Sequence, residues 1–369
     1  MNIDFAKLQY QYQLYKEEID NAIHAVLDKS NYIMGDEITS LEEGLCHFTK
    51  AQYSISCSSG TDALLLAMMA LDIKPGDEVI TTPFTFIATA ETIALMGAVP
   101  VFVDIDDQTY NIDPSLIEEK ITTKTKIIMP VSLYGQPSNM DAINKIAQHN
   151  HIKVVIDGAQ SFGSSYSGKL DSNLGDISTT SFFPAKPLGC FGDGGAVFTN
   201  DEILSDKIKQ LRVHGQNKRY QHKYIGIGGR LDTIQAAVLN VKLKYYEKDL
   251  KLRQQVASKY SSLLEGEEIK LPYIDSSAIS AWAQYSIRVK NRDNFQLKLK
   301  EQGIPTAVHY PIPLHLQECF QYLGYKKGDF PVSEFISNEI VSLPMNPYLT
   351  DDEIGYISQN IIKLKDICL

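Results

Sequence analysis

A chain of 369 residues is too long for one small core, so two domains are expected, with interiors drawn from its 44% hydrophobic residues. Its net charge of -10 and pI of about 5.3 exclude nucleic acid as the main partner, while leaving room for a locally basic site that takes an anionic substrate. The five cysteines are scattered, with no C-x-x-C pair and no histidine at metal-ligand spacing, which excludes structural zinc and a disulfide framework and fits a reducing cytoplasm.

No metal is therefore expected. Met1 to Asp20 mixes acidic, basic and amide residues among its apolar ones, unlike a signal peptide, and no apolar run is long enough to cross a membrane. A cytoplasmic protein without a membrane partner is the expectation.

The first helical pattern, Leu14 to Leu27, places Ile19, Ile23, Val26 and Leu27 on one face. A turn-rich patch, Asn31 to Gly35, precedes a second helix from Ser40 to about Thr49. Short apolar runs then recur at Ser54–Cys57, Glu78–Thr82, Val99–Val103, Ile127–Val131, Val154–Ile156, Thr179–Phe183 and Ala196–Thr199. Helical patterns lie between the earlier ones, at Asp62–Leu71, Ala88–Met96, Pro114–Lys120 and Met140–His149. Such alternation predicts an α/β fold, a mostly parallel seven-stranded sheet covered on both faces. From Ile234 a long helical stretch with Ala236, Ala237, Leu239, Leu243 and Tyr246 runs into the charged segment Glu247–Arg253. One strand-like run, Tyr285–Val289, and further helices follow up to Leu364. Residues 1–250 are thus expected to form a large domain and residues 251–369 a smaller α+β domain.

Three segments carry chemistry. Ser58-Ser59-Gly60-Thr61-Asp62 joins a strand to a helix, where small residues, free N–H groups and the helix dipole suit a phosphate. Taken alone, it reads first as an ordinary capped turn. Asp157 ends an apolar strand at the edge where open parallel sheets bind ligands, and a carboxylate there needs a cation or good hydrogen bonds. It too could be a helix cap. Lys186 lies between Pro184 and Pro187, with Gly189, Gly192, Gly194 and Gly195 following, among apolar neighbours that would lower its pKa and make the amine nucleophilic. In isolation it could be a solvated loop lysine. Taken together, a phosphate cradle, a carboxylate for a ring nitrogen and a desolvated lysine are the parts that hold pyridoxal 5'-phosphate (PLP).

These motifs, with Pro83-Phe84-Thr85-Phe86-Ile87-Ala88-Thr89, Val103-Asp104-Ile105, Tyr134-Gly135, Arg230-Leu231-Asp232 and Ala307-Val308-His309-Tyr310-Pro311, resemble the nucleotide-sugar aminotransferase family of fold-type I PLP enzymes over nearly the whole chain. The resemblance implies the aspartate aminotransferase fold. It implies that Lys186 is the Schiff-base lysine and the proton carrier, and that Asp157 pairs with the pyridine nitrogen. It further implies Gln160 on the ring hydroxyl, Phe86 stacked on the ring, and Ser59, Gly60, Thr61 and Ser181 about the phosphate. A homodimer with shared sites and ping-pong transfer from L-glutamate are also implied.

The stretches Thr82–Thr89, Val131–Gln136 and Thr306–Leu314 are similar to members that aminate UDP-2-acetamido-2-deoxy-3-oxo-D-glucuronate for lipopolysaccharide O-antigen sugars. Arg230 is then the candidate for the uronate carboxylate, with His309 and Tyr310 lining the sugar pocket. The bland readings stand beside these: an ion pair of Arg230 with Asp232 or a phosphate contact, and packing of His309 and Tyr310 beside Pro311. A dTDP-linked 3-keto-6-deoxyhexose is the alternative substrate, and a PLP- or nucleotide-sugar-binding protein without turnover the alternative class. One departure stands out. The family's asparagine that reaches across the dimer to the phosphate corresponds here to Gly228, within Gly226-Ile227-Gly228-Gly229-Arg230. Trp282 and the Tyr245-Tyr246 pair read as packing or dimer contacts, Cys190 as a packing residue, and Lys298–Lys300 as a solvated helix face.

Overall fold

A computed structural model of the chain describes residues 1–267 and 269–368. Seven strands, β1 (Tyr53–Cys57), β2 (Glu78–Thr81), β3 (Val99–Phe102), β4 (Thr125–Ile128), β5 (Lys153–Asp157), β6 (Ile177–Ser181) and β7 (Gly195–Thr199), form one sheet in the order β1-β7-β6-β5-β4-β2-β3. Only β7 runs against its neighbours, pairing antiparallel with β1 and β6. The other neighbouring pairs are parallel, so the sheet is mostly parallel as its apolar runs predict.

Among the described residues twelve α-helices accompany it: α1 (Leu8–Leu14), α2 (Lys16–Lys29), α3 (Asp36–Thr49), α4 (Gly60–Ala70), α5 (Ala88–Leu95), α6 (Met140–Asn150), α7 (Glu202–Leu211), α8 (Thr233–Leu243), α9 (Tyr246–Leu264), α10 (Arg292–Glu301), α11 (Pro331–Glu339) and α12 (Asp351–Cys368). The period of two along each strand sorts side chains between the two layers. Val155, Ile177 and Val197 pack with Leu64, Met68 and Ile208 on one face. Val154 and Ile156 turn to the other face with Ile143 and Ala147. Each buried Val, Leu, Ile or Met among them contributes roughly 1.5–3 kcal/mol relative to exposure.

A second core gathers Tyr260, Tyr285, Phe295, Val341 and Ile357, around the antiparallel pair β8 (Tyr285–Arg288) and β9 (Ile340–Leu343). The residue-250 division falls inside α9. The start of this helix, Tyr246, packs with Phe162 and Phe182, whereas its end, Tyr260 and Leu264, belongs to the second core. Ile3 packs into that second core too, so the chain's start crosses over to it.

The expected helix Pro114–Lys120 is instead two 3-10 turns, Pro114–Leu116 and Glu118–Lys120. Pro114 suits a first turn, and Asp113 caps it, but no longer ladder develops. Among the described residues no helix is long and apolar enough to cross a membrane, and no group of three or more His, Cys, Asp or Glu could hold a metal. Cys46, Cys57, Cys190 and Cys319 are free thiols, and the Cys368 side chain lies outside the described residues.

Candidate active site

The C-terminal ends of β1, β2, β5 and β6 open onto a cavity of about 530 Å³, within the roughly 300–1,000 Å³ usual for cofactor pockets. Ser59, Gly60, Thr61, Phe86, Asp157, Gln160, Ser181, Lys186, His309 and Tyr310 all line it. Ten residues from five segments of the sequence therefore converge on one cavity.

Gly60 opens α4, and Ser59 is its N-cap, the hydroxyl accepting from the Asp62 N–H at 3.0 Å. The capped-turn reading and the anion-site reading are thus compatible. A Cβ on Gly60 would lie 2.7 Å from the Ser181 Cβ, and one on Gly195 would lie 2.4 Å from the Ser59 carbonyl oxygen. Only glycine lets the start of α4 close against β6 and β7 here, leaving the helix N-terminus open to an anion.

Asp157 is the last residue of β5 and is buried. Its Oδ2 accepts from Thr89 Oγ1 at 2.7 Å and its Oδ1 from the Ala159 N–H at 3.1 Å. Burial pushes the carboxyl upward, while Thr89, Ala159 and the Lys186 charge pull it back. Lys186 sits in a turn whose N–H donates to the Phe183 carbonyl at 2.8 Å. Burial pushes its amine below the ordinary lysine value, with Asp157 opposing. A buried carboxylate of this kind calls for a cation facing it, and a protonated pyridine nitrogen is one. The carboxylate, the desolvated amine and the glycine-lined helix start fit PLP.

Gln160 is fixed at both ends of its amide. Its Oε1 accepts from the Tyr134 N–H at 2.8 Å, and its Nε2 donates to the Tyr310 hydroxyl at 3.1 Å. The Phe86 ring, half exposed on the cavity wall, stands 6.1 Å from that of Tyr310. Tyr134 also donates its hydroxyl to the His309 carbonyl, and His309 Nδ1 meets Ser342 Oγ at 2.9 Å. Burial, with help from Lys186, pushes the His309 imidazole down to about 4, so it is neutral at physiological pH. The His309–Tyr310 segment is thereby tied both to the sheet's loops and to β9.

Arg230 stands apart. It is half-buried, does not line this cavity, and makes no ion pair with Asp232 among the described residues. Gly228 is exposed and bridges to Val213, and a Cβ on it would come within 3.0 Å of the His214 ring. Trp282 stacks on Tyr285 and donates its Nε1–H to Gln254 at 2.8 Å, while Tyr246 donates to the Phe162 carbonyl, both packing roles. Cys190 is buried against the Phe182 and Gly192 carbonyls, and Lys298 pairs with Glu301 on the surface.

Sequence reasoning assigns no role to Thr89, Thr85, Tyr134, Gln284 or Ser342, all of which line the cavity or brace its lining. Thr85 and Thr89 both belong to the quoted Pro83–Thr89 motif, and their hydroxyls meet at 3.1 Å although Thr85 lies ahead of α5. Tyr134 lies in the quoted Tyr134-Gly135 motif, whereas Gln284 and Ser342 leave no local signature.

Residues 13–362 match the model of the DegT/DnrJ/EryC1/StrS aminotransferase family. The chain belongs to this family. Its members are PLP-dependent aminotransferases, so this chain is one too. The aminotransferase is 51% identical, over 96% of its length and 98% of the relative's, to the UDP-2-acetamido-2-deoxy-3-oxo-D-glucuronate aminotransferase of Pseudomonas aeruginosa. It is 42% identical, over 97% of its length and 98% of the relative's, to the dTDP-3-amino-3,6-dideoxy-alpha-D-galactopyranose transaminase of Aneurinibacillus thermoaerophilus. The crystal structure of S. venezuelae DesV in complex with a ketimine intermediate superposes on the aminotransferase with a TM-score of 0.97, at 34% identity, covering 99% of each chain.

Proposed function

We propose that this aminotransferase moves the amino group of L-glutamate onto the 3-keto group of a UDP-linked N-acetylated uronate sugar, in the supply of lipopolysaccharide O-antigen sugars. The observation that carries the reading is the 51% identity, along almost the whole of both chains, to a relative named for that substrate. The complete cavity lining, with Lys186 in place, supports turnover over mere binding.

PLP bound here supplies the electron sink for breaking and making the bonds at the amino-bearing carbon. The chain supplies the rest. Asp157 would face the ring nitrogen, Gln160 the ring hydroxyl, Phe86 the ring face, and Ser59, Gly60, Thr61 and Ser181 would hold the phosphate. Lys186 Nζ, desolvated and weakly basic, is the amine that anchors the cofactor and that takes and returns the proton. His309, neutral, and Tyr310 face the sugar.

Arg230 lies outside the cavity lining of its own chain. We assign it to the sugar carboxylate in the site of a second subunit, in a cytoplasmic homodimer with shared sites. The large domain of residues 1–250 then carries the cofactor, and the smaller domain of residues 251–369 brings His309 and Tyr310 to it.

A dTDP-linked 3-keto-6-deoxyhexose is the second reading, favoured by the 42% identical relative. The two substrates differ in the carboxylate. Steady-state rates of Arg230→Ala with each sugar separate them: a fall with the uronate alone supports the first reading, and turnover of only the deoxyhexose by the unaltered enzyme supports the second. Loss of the cofactor's visible band on adding glutamate separates either from a binding protein without turnover.

A further inference from the structure

Behind the cofactor-facing turn lies a second buried carboxylate that the chemistry above does not use. Asp171 begins a 3-10 turn and is 3% exposed. Its Oδ2 accepts from Ser161 Oγ, and its Oδ1 from Ser132 Oγ at 3.1 Å. Its backbone is fixed as well, its N–H donating to the Ser164 carbonyl at 3.0 Å and its carbonyl accepting from Ser178 Oγ at 3.0 Å.

Both serines connect to the cofactor site. Ser161 directly follows Gln160, and its N–H closes the turn onto the Gly158 carbonyl at 3.1 Å. The Ser132 N–H donates to the Asp157 carbonyl at 3.0 Å, so Ser132 holds Asp157 from the backbone side while its hydroxyl reaches Asp171. A Cβ on Gly158 would come within 3.1 Å of Asp171 Oδ2, which puts this carboxylate directly against the turn between Asp157 and Gln160.

We propose that Asp171 is a positioning residue for the cofactor: through Ser161 and Ser132 it fixes the turn that carries Asp157 and Gln160, and so sets where these two meet the ring. The inference rests on the assignment of Asp157 to the ring nitrogen. It follows from a general asymmetry. A buried carboxylate is costly, and one that spends its acceptor capacity on two hydroxyls from different loops fixes those loops relative to each other. Burial pushes the Asp171 carboxyl up to about 6, Ser161 and Ser132 pull it down, and Asp157 nearby raises it again. Asp171 therefore senses the charge of Asp157.

The test uses the full chain reconstituted with PLP and the variants Ser161→Ala, Ser132→Ala, Asp171→Asn and Asp157→Asn. Three quantities are read: the PLP dissociation constant, the pH at which the bound cofactor's visible band changes, and the melting temperature without cofactor. Ser161→Ala and Asp171→Asn are expected to weaken PLP by roughly tenfold, the size of one lost charge-assisted hydrogen bond, and to displace the band's pH midpoint in the same direction as Asp157→Asn. The serine variants keep the test open should Asp171→Asn fold poorly. A lower melting temperature with unchanged PLP affinity and an unchanged midpoint in all three Asp171-network variants would make Asp171 purely structural and overturn the proposal. An unchanged midpoint in Asp157→Asn would instead overturn the assignment of Asp157 on which it rests.

Discussion

Thr89 Oγ1 donates to Asp157 Oδ2 at 2.7 Å, joining the first turn of α5 to the last residue of β5. The bond favours the ionised carboxyl against the desolvation that pushes it up. Removing it in Thr89→Val leaves an acceptor buried without its donor, at a cost of roughly 1.5–3 kcal/mol for a charged group. PLP affinity is expected to fall by about ten- to a hundredfold. Because the carboxyl is then protonated more readily, the loss grows as pH falls. Titration of the cofactor-free variant with PLP at several pH values measures it.

Lys242 on α8 grips the loop that carries Lys186. Its Nζ, buried, donates to the Gly189 carbonyl at 2.6 Å and lies 4.7 Å from the Phe191 ring centroid. Gln235, on the same helix, accepts the Phe191 N–H at 2.8 Å. Burial lowers the lysine from 10.5 to about 8. Between those values the unfolded chain binds more protons than the folded one, so this residue makes stability rise with pH from about 8 to 10.5. Lys242→Met is expected to flatten that rise in the melting temperature and to slow turnover by loosening the loop.

His309 carries the same sign at lower pH. Burial lowers it from 6.5 to about 4, so the unfolded chain takes up a proton that the folded one refuses. Its contribution is fully present above pH 6.5 and is lost as pH falls toward 4. Melting temperatures of cofactor-free protein across that window should fall less steeply in His309→Gln than in the unaltered chain.

Gly60 is a steric prediction. With a Cβ 2.7 Å from the Ser181 Cβ, Gly60→Ala must push α4 away from β6, at about 1–3 kcal/mol for a tight core. PLP binding should weaken, and Ser181→Gly in the same chain should restore part of it. Equal PLP affinity in Gly60→Ala and the unaltered chain would remove this turn from the phosphate site.

The fold was legible where burial is continuous. Buried parallel strands read as apolar runs, and all seven sheet strands lie at or beside the expected runs. The run Ile127–Val131 is displaced most, to Thr125–Ile128, because Pro130 lacks the N–H that would continue the ladder and the chain there turns into the site. Strand β9 is four residues long, and so short an apolar run cannot be told from helix by its period.

Within the site, residues on contiguous motifs could be read, since strand-end position and glycine spacing mark them. Their braces could not. Thr89 meets Asp157 across 68 residues of sequence, Ser342 meets His309 across 33, and Tyr134 meets Gln160 across 26. Such contacts depend on which strands become neighbours, which no local pattern encodes. Arg230 shows the converse: its motif is legible, yet its own chain places it away from the cavity.

Borohydride reduction of the PLP-loaded protein, followed by peptide mapping, tests the central claim most directly. The account predicts one cofactor tag, on Lys186, and its absence from Lys186→Ala. A tag on Lys242, a buried lysine that touches the loop, or on any other residue would contradict it.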